Sequence, residues 1–370
     1  MNAFENDQRE EDIVDIEEDS ESISDSQPIS YFGSDFDAHG LVRRLNQQDI
    51  VVPSFDPIVP SGLDLEGFQR RFVWRKPQMD KFIESLLLGY PIPGIFLVQQ
   101  LDKKLLVLDG QQRLRTLQAF YRGIIDKKEF TLEYVGEQFK GVTYDSLDDE
   151  NRRSLDNTFI HATIVKYNQE NHGDEAIYQV FERLNTGGTN LVPHEIRVAL
   201  FNGSLARLVQ KMNTYESWRI LYGQKPSDRL KDQELILRFI AFREASSAYK
   251  RPLKKFLNNF MENHRNLQNL DSTKIETVFY NACDALYKNI GAGTFRTGKQ
   301  VNAALIDSLL QGVAIRQERG AITDWEAFGE AYKQLILDKD FQNAITRATA
   351  DEERVRARLD AATKAFSKVT

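Results

Sequence analysis

The chain has 370 residues, with 48 Lys or Arg against 55 Asp or Glu, but the two signs are unevenly distributed. The first 37 residues hold 13 acidic residues and one basic residue, Arg9, which leaves 47 bases against 42 acids in the remaining 333. The acidic total therefore describes the N-terminal segment and does not exclude a polyanionic partner. One cysteine, Cys283, excludes an internal disulfide and a thiolate zinc site, and the five histidines show no pair at metal-binding spacing.

The composition along the chain predicts three regions. Residues 1–37 are rich in Glu, Asp and Ser and poor in apolar residues, so we predict a disordered acidic arm there. An α+β domain is predicted over residues 38–190 and a helical domain over residues 191–370. The N-terminus has no secretory signal pattern and no apolar run long enough for a membrane span, so a cytoplasmic location without a membrane partner is expected.

The predicted elements follow from hydrophobic spacing. Short apolar or alternating runs predict strands, over residues 95–99, 105–108, 130–134 and 162–167. Apolar residues at helical spacing predict helices in the first domain, over residues 76–88, 114–121 and 175–184. Beyond Val192 nearly every pattern is helical, with helices predicted over residues 193–214, 232–249, 253–267, 272–290, 299–318, 324–337 and 351–367.

The strongest local signal is the run Asp109-Gly110-Gln111-Gln112-Arg113 at a predicted strand-to-helix junction. The start of a helix favours a phosphate, because its first N–H groups are unpaired and its dipole is positive there. Arg113 and Arg115 supply permanent positive charge, and Asp109 is suited to a magnesium ion or a ribose hydroxyl. The alternative is that Asp109 merely caps the helix and the arginines lie on its solvated face.

Two further segments are candidates for ligand contact. Residues 68–75 interleave polar and cationic side chains with aromatic ones, which suits phosphate contact and ring stacking, although an amphipathic strand with a buried aromatic face has the same pattern. Residues 181–191 contain Asn185 and a Gly187-Gly188 pair that could wrap a ligand, although a glycine-rich connector between helices is the commoner use of such a stretch.

These segments, in this order and spacing, resemble the GmrSD-type restriction-system N-terminal domain family. The resemblance covers residues 40–365 and is carried by runs at residues 68–74, 85–93, 109–113, 181–188, 195–197, 231–234 and 302–305. It implies a ParB/sulfiredoxin-like α+β core followed by helices. It also implies binding and hydrolysis of a nucleoside triphosphate with Mg²⁺, with ATP, GTP and CTP not distinguished, coupled to restriction of modified phage DNA.

Site residues follow from the resemblance and from the physical reasoning together. The expected catalytic residues are Asp109, Gln112 and Arg113, with Asp109 also the expected metal ligand. Gln112 would orient an attacking water, and Arg113 would offset charge on the transferred phosphoryl group. The expected nucleotide-binding residues are Gln69, Arg70, Gly110, Gln111, Arg115, Thr116, Arg183 and Asn185; Arg115 and Thr116 are physical additions to the family assignments.

Fused members of the family continue into an HNH nuclease domain, whose pattern residues 251–370 lack, since they contain one histidine, His264. The resemblance therefore implies a sensor or regulatory subunit of an anti-phage system, with DNA and a separate HNH-type nuclease as partners and self-association left open. Two alternatives remain. One is a metal-dependent nuclease whose ligands are Asp109 with Glu195 or Asp232, and the other is a non-enzymatic DNA-binding adaptor.

Overall fold

The computed structural model describes residues 13–14, 29–53, 74–100, 102–125, 127–166, 177–180, 192–227 and 229–370. The chain divides into two compact units. The first, which we call the sheet unit, is Asp25–Val192. The second, which we call the helical unit, is Pro193–Thr370 together with Met1–Ser24, and it includes strand β1 (Ile13–Val14). The predicted α+β class with a helical C-terminal region is confirmed.

The sheet unit contains a five-stranded mixed sheet in the order β2-β8-β4-β5-β3. Its elements in chain order are β2 (Tyr31–Asp37), α1 (Ala38–Asn46), β3 (Ile50–Val51), α2 (Lys76–Leu87), β4 (Ile95–Gln99), β5 (Leu105–Asp109), α3 (Gln111–Arg122), β6 (Ile124–Ile125), β7 (Lys128–Glu129), α4 (Asp149–Asp156) and β8 (Phe159–Lys166). β4 and β5 pair antiparallel, as the two apolar runs predict, while β8 lies parallel to β4 and β3 lies parallel to β5.

One face of this sheet packs against the helices of the same unit. Ile160, Ala162 and Ile164 alternate along β8 and are buried in this core, because side chains alternate between the two faces of a strand. On the helices the buried residues recur every three or four positions, as in Leu114, Leu117 and Phe120 of α3. The end of β5 and the start of α3 therefore rest on a packed core.

Two predictions about the sheet unit are wrong. The predicted disorder to residue 37 does not hold for Tyr31–Asp37, which pair antiparallel with β8. Two acids of this segment have specific partners: Asp35 Oδ1 lies 2.8 Å from Nδ1 of His161 in β8, and Asp37 accepts a hydrogen bond from the N–H of Gly40 at the start of α1. Composition alone does not distinguish such acids from solvated ones.

The strand predicted over residues 130–134 is also absent: the neighbouring strands are β6 and β7, and Leu132 alone exchanges main-chain hydrogen bonds with Gly141 and Val142, at 2.8 and 2.9 Å. The N–H groups of Glu133 and Tyr134 instead donate to the buried carboxylate of Asp80, at 2.9 and 3.0 Å. A side chain of α2 thus satisfies the two backbone donors at the end of the segment, where a strand would have used a neighbouring strand.

The helical unit is built from helices and one short hairpin. Its elements are α5 (Pro193–Leu200), α6 (Ser204–Met212), α7 (Glu216–Tyr222), α8 (Lys231–Ala245), α9 (Leu253–Asn263), α10 (Ser272–Asn289), β9 (Arg296–Thr297), β10 (Gln300–Asn302), α11 (Ala303–Gln317), α12 (Trp325–Leu337), α13 (Lys339–Thr346) and α14 (Glu352–Phe366). The sequence predicted neither α7 nor α13, and the helix predicted over 299–318 begins as β10.

α11 is the centre of the helical unit and is buried around most of its circumference. Its nearly continuous apolar sequence is typical of a helix enclosed by other helices. Gly312 allows the closest of these contacts, because a Cβ there would lie 2.8 Å from the backbone of Ala362 in α14. Among the described residues, no helix has the length and apolar character needed to span a membrane.

Candidate nucleotide site

The candidate site begins where β5 ends. Asp109 is the last residue of β5, and Gly110 adopts a left-handed backbone conformation, with a φ of +94°, before α3 begins at Gln111. A Cβ on Gly110 would lie 2.5 Å from Ile95 Cγ2 of β4. Glycine is therefore required both by the turn and by the packing of the junction on the sheet. The predicted strand-to-helix junction is confirmed.

The N-terminus of α3 lacks a capping side chain. Gly110 occupies the capping position and provides no side-chain acceptor, and the first turn of the helix holds no acidic residue. The first N–H groups of a helix have no partner within it, and the helix dipole adds partial positive charge at this end. This terminus therefore has hydrogen-bond donors to offer an anion.

Arg113 is held beside this terminus by two hydrogen bonds. Its Nη2 lies 2.8 Å from Asp109 Oδ2, and its Nη1 donates to the carbonyl oxygen of Pro93 at 2.9 Å. The Arg113 side chain is 12% exposed and that of Asp109 is 45% exposed. The alternative in which the arginine points freely into solvent from the helix is therefore wrong for Arg113. A carboxylate and a guanidinium instead lie together at the mouth of the junction.

The two glutamines of the motif have different surroundings. Gln111 is 8% exposed, and within the described part of the chain neither its Nε2 nor its Oε1 has a hydrogen-bond partner. Such a buried amide costs free energy unless a ligand or water completes its hydrogen bonds. Gln112 Oε1 accepts a hydrogen bond from the N–H of Trp74 at 3.4 Å. The end of the basic and aromatic run thus reaches the motif through Trp74, whose ring packs edge-on against Phe82.

Arg115 and Thr116 lie inside the protein. Arg115 is 6% exposed, and its Nη2 donates to the carbonyl oxygen of Pro53 at 2.9 Å. Thr116 is fully buried, and its hydroxyl has no partner among the described residues. The alternative, in which the arginines lie on the solvated face of the helix, is therefore also wrong for Arg115. Its hydrogen bond to Pro53 holds the segment that follows β3 against α3. The side chains of Arg115 and Thr116 are both buried, whereas that of Asp109 at the junction is about half exposed.

Four of the predicted nucleotide-binding residues lie outside the described residues: Gln69, Arg70, Arg183 and Asn185. The aromatic face proposed for Phe68 and Phe72 and the Gly187-Gly188 turn lie outside them as well. The described structure therefore brings together Asp109, Gly110 and Gln111–Arg113.

The metal ligands suggested for the nuclease alternative have other partners. Glu195 Oε2 lies 3.2 Å from Arg229 Nη2, and Asp232 Oδ2 lies 2.7 Å from Arg219 Nη1. Both carboxylates are almost completely buried in the helical unit. In the part of the chain that the structure describes, no group of three or more His, Cys, Asp or Glu side chains is arranged to hold a metal ion.

Sequence reasoning missed the main-chain contacts of the site. The carbonyl oxygen of Pro93 and the N–H of Trp74 fix Arg113 and Gln112, but backbone groups leave no trace in a pattern of side chains. The available signal was the Pro91-Ile92-Pro93-Gly94 segment before β4. Gly94 is needed there because a Cβ would lie 2.9 Å from the carbonyl oxygen of His161 in β8.

Comparison with known families gives one match to this part of the chain. Residues 45–202 match the family described as GmrSD restriction endonuclease, N-terminal domain. The matched region includes the junction at Asp109 and four strands of the sheet, β3, β4, β5 and β8, whereas β2 lies before it. No curated protein and no solved structure matches the chain.

Proposed function

Because residues 45–202 match the family described as GmrSD restriction endonuclease, N-terminal domain, which suggests a restriction-system component, we propose that the chain binds a nucleoside triphosphate at the Asp109–Arg113 junction and hydrolyses it. One observation carries the proposal: the uncapped N-terminus of α3 lies beside a preformed pair of Asp109 and Arg113. Phosphate groups bind at such a terminus through backbone N–H groups, and a guanidinium fork matches phosphate oxygens.

The remaining motif residues suit the same ligand. Asp109 is exposed enough to reach a magnesium ion, which proteins commonly bind through one or two carboxylates together with phosphate oxygens. In this proposal Arg113 offsets negative charge on the phosphoryl group that is transferred. Gln112 is fixed at its Oε1 by Trp74, which restricts the directions in which the amide can orient a water.

The experiment is a titration of the chain with ATP, GTP and CTP in the presence of Mg²⁺, followed by measurement of phosphate release. We expect one nucleotide to bind, and we expect Asp109→Ala and Arg113→Ala each to lower the affinity or the hydrolysis rate at least about tenfold. Lys104→Ala, an exposed position in the turn before β5, is the matched control. Equal behaviour of all four proteins would rule out a nucleotide site at this junction.

We further propose that the nucleotide state controls a nuclease, in the setting of anti-phage restriction of DNA. If the nuclease is a separate HNH-type partner, as the sequence predicts, this chain should not cut DNA by itself. The chain is incubated alone with plasmid DNA and Mg²⁺ or Mn²⁺, and no nicking is expected. Nicking that is abolished by Asp109→Ala would instead assign the metal-dependent nuclease activity to this chain.

A further inference from the structure

A segment of the acidic N-terminal run pairs with the hairpin of the helical unit. β1, β10 and β9 form a three-stranded sheet in that order. β1 lies parallel to β10, with Ile13 opposite Val301 and Val14 opposite Asn302, whereas β9 lies antiparallel on the other side. The edge of β10 that faces away from β9 is therefore occupied by two residues of a predicted disordered arm.

The hydrogen bonds of β10 show which of its backbone groups face β1. The N–H of Asn302 donates to the carbonyl oxygen of Phe295 at 2.9 Å, so the peptide groups of Asn302 face the β9 side of the hairpin. Because residues alternate in direction along a strand, the N–H and C=O of Val301 point toward β1. Without β1 these groups would form an open strand edge, which is a template for another extended chain.

β10 is held in place by contacts that do not involve β1. Asn302 Oδ1 accepts from the N–H of Leu305 at the start of α11, and Asn302 Nδ2 donates to the carbonyl oxygen of Ile345, both at 2.9 Å. On the neighbouring strand, Arg296 Nη2 donates to the carbonyl oxygen of Tyr222 at 2.8 Å. The edge is therefore fixed by α11, α13 and α7 before any strand is added, which lowers the cost of adding one.

The charges of the two partners are complementary. Residues 10–19 contain seven acidic residues, and the other three are the β-branched Ile13, Val14 and Ile16. Residues 296–300 of the hairpin contain Arg296 and Lys299 and no acid. A β-branched centre favours an extended strand, and flanking acids favour a basic neighbour.

We propose that the outer edge of β10 is a strand-addition site for an acidic, β-branched peptide segment, and that residues 10–19 of this chain are its tethered ligand. Main-chain hydrogen bonds would give such a site its affinity, as in other cases of strand addition to a sheet edge. The tether gives the arm a high effective concentration, so a free segment of the same kind is excluded while the arm is in place. The site is independent of the nucleotide proposal.

The binding test uses the full chain with Ile13→Pro and Val14→Pro, which removes two strand N–H groups and keeps the acidic residues. A fluorescent peptide of residues 8–21 is titrated into this variant and into the unaltered chain at about 0.15 M salt. We expect the peptide to bind the variant at least tenfold more tightly. A control peptide with glycine at positions 13 and 14 keeps the charge and should bind the variant at least tenfold less tightly. Equal binding to both proteins, equal binding of both peptides, or no binding to the variant would overturn the proposal.

A hydrogen-exchange measurement tests the same edge residue by residue. The Val301 amide should exchange at least tenfold faster in the variant than in the unaltered chain, and the peptide should restore its protection. The Leu305 amide, bonded to Asn302, is the internal control and should not change. Loss of protection at Leu305 as well would show that β1 is part of the folded core rather than a ligand. A dimer that dissociates in the variant would overturn the tethered arrangement, because the arm would then come from a second copy.

Discussion

Arg113 Nη2 lies 2.8 Å from Asp109 Oδ2, across the first turn of α3. The pair holds the guanidinium beside the helix N-terminus, and the second hydrogen bond, to Pro93, fixes the direction of the guanidinium fork. An ion pair with one partly exposed partner contributes about 0–1 kcal/mol to stability. Substitution of either residue should therefore affect ligand binding far more than folding.

Arg113→Lys should separate charge from geometry. A lysine keeps the positive charge, but its ammonium lacks the planar fork that joins Asp109 and Pro93. We expect nucleotide affinity to fall about tenfold, while the free energy of unfolding in urea changes by less than about 1 kcal/mol. Arg122→Lys, on the exposed end of the same helix, is the control. The same loss of affinity in both variants would contradict a special role for Arg113.

Gly110→Ala should destabilise the sheet unit more than the same change at the other end of α3. Gly110 and Gly123 both have a left-handed backbone, with φ of +94° and +69°. A Cβ at Gly110 would meet Ile95, whereas nothing lies within 4 Å of one at Gly123. We expect about 1 kcal/mol for Gly123→Ala and about 2–4 kcal/mol for Gly110→Ala in urea unfolding. Equal losses would mean that Ile95 moves aside without cost.

The junction could be predicted from the sequence because its signals are local. An apolar run, a glycine and a helical period follow one another within residues 105–121. In the folded chain they form the strand, the turn and the helix that each of them predicts. The strand of residues 31–37 could not be predicted, because Asp35 is paired with the distant His161 and Asp37 caps the helix that follows it. Composition averages over such specific partners.

The burial of charged residues could not be predicted from the sequence either. Arg115 follows the motif and looks like a second phosphate ligand, but its position on α3 turns it toward the carbonyl oxygen of Pro53. The burial of Asp80 likewise depends on a loop distant in sequence, because the N–H groups of Glu133 and Tyr134 donate hydrogen bonds to its carboxylate. A helical period gives the face on which a residue lies, but not which backbone carbonyl or amide will meet it there.

His194 should make stability depend on pH. Burial, and then the charge of Arg197, hold the pKa of His194 well below the ordinary value of 6.5. The folded chain therefore binds this proton less tightly than the unfolded chain. The contribution is fully present above pH 6.5 and is lost as the pH falls below it, at up to about 1.4 kcal/mol per pH unit.

His194→Leu should remove this dependence. Between pH 6.5 and 5.5 the unaltered chain should lose about 1 kcal/mol more in urea unfolding than the variant does. His264→Gln, at a half-buried histidine of the same unit, is the control and should lose as much as the unaltered chain. Parallel pH curves for the unaltered chain and His194→Leu would show that His194 does not remain buried and neutral.

Asp307 should be the most sensitive carboxylate of the helical unit. Its Oδ2 lies 2.6 Å from Arg238 Nη2 and 3.1 Å from Arg358 Nη2, and all three side chains are at most 1% exposed. Burial lowers the pKa of Arg358, which shows how unfavourable this position is for a cation. Where α8, α11 and α14 pack together, the carboxylate of Asp307 offsets the charge of both buried guanidinium groups.

Asp307→Asn keeps the size of the side chain and removes its charge. We expect a loss of about 3–5 kcal/mol in urea unfolding, because two buried cations then lose their common counter-charge. Asp351→Asn is the matched control: Asp351 Oδ1 lies 2.6 Å from Arg251 Nη1, but both side chains are about half exposed, and the expected loss is below about 1 kcal/mol. Similar small losses in the two variants would mean that water reaches Arg238 and Arg358. We do not expect such access, because α11 packs closely against α14 at Gly312.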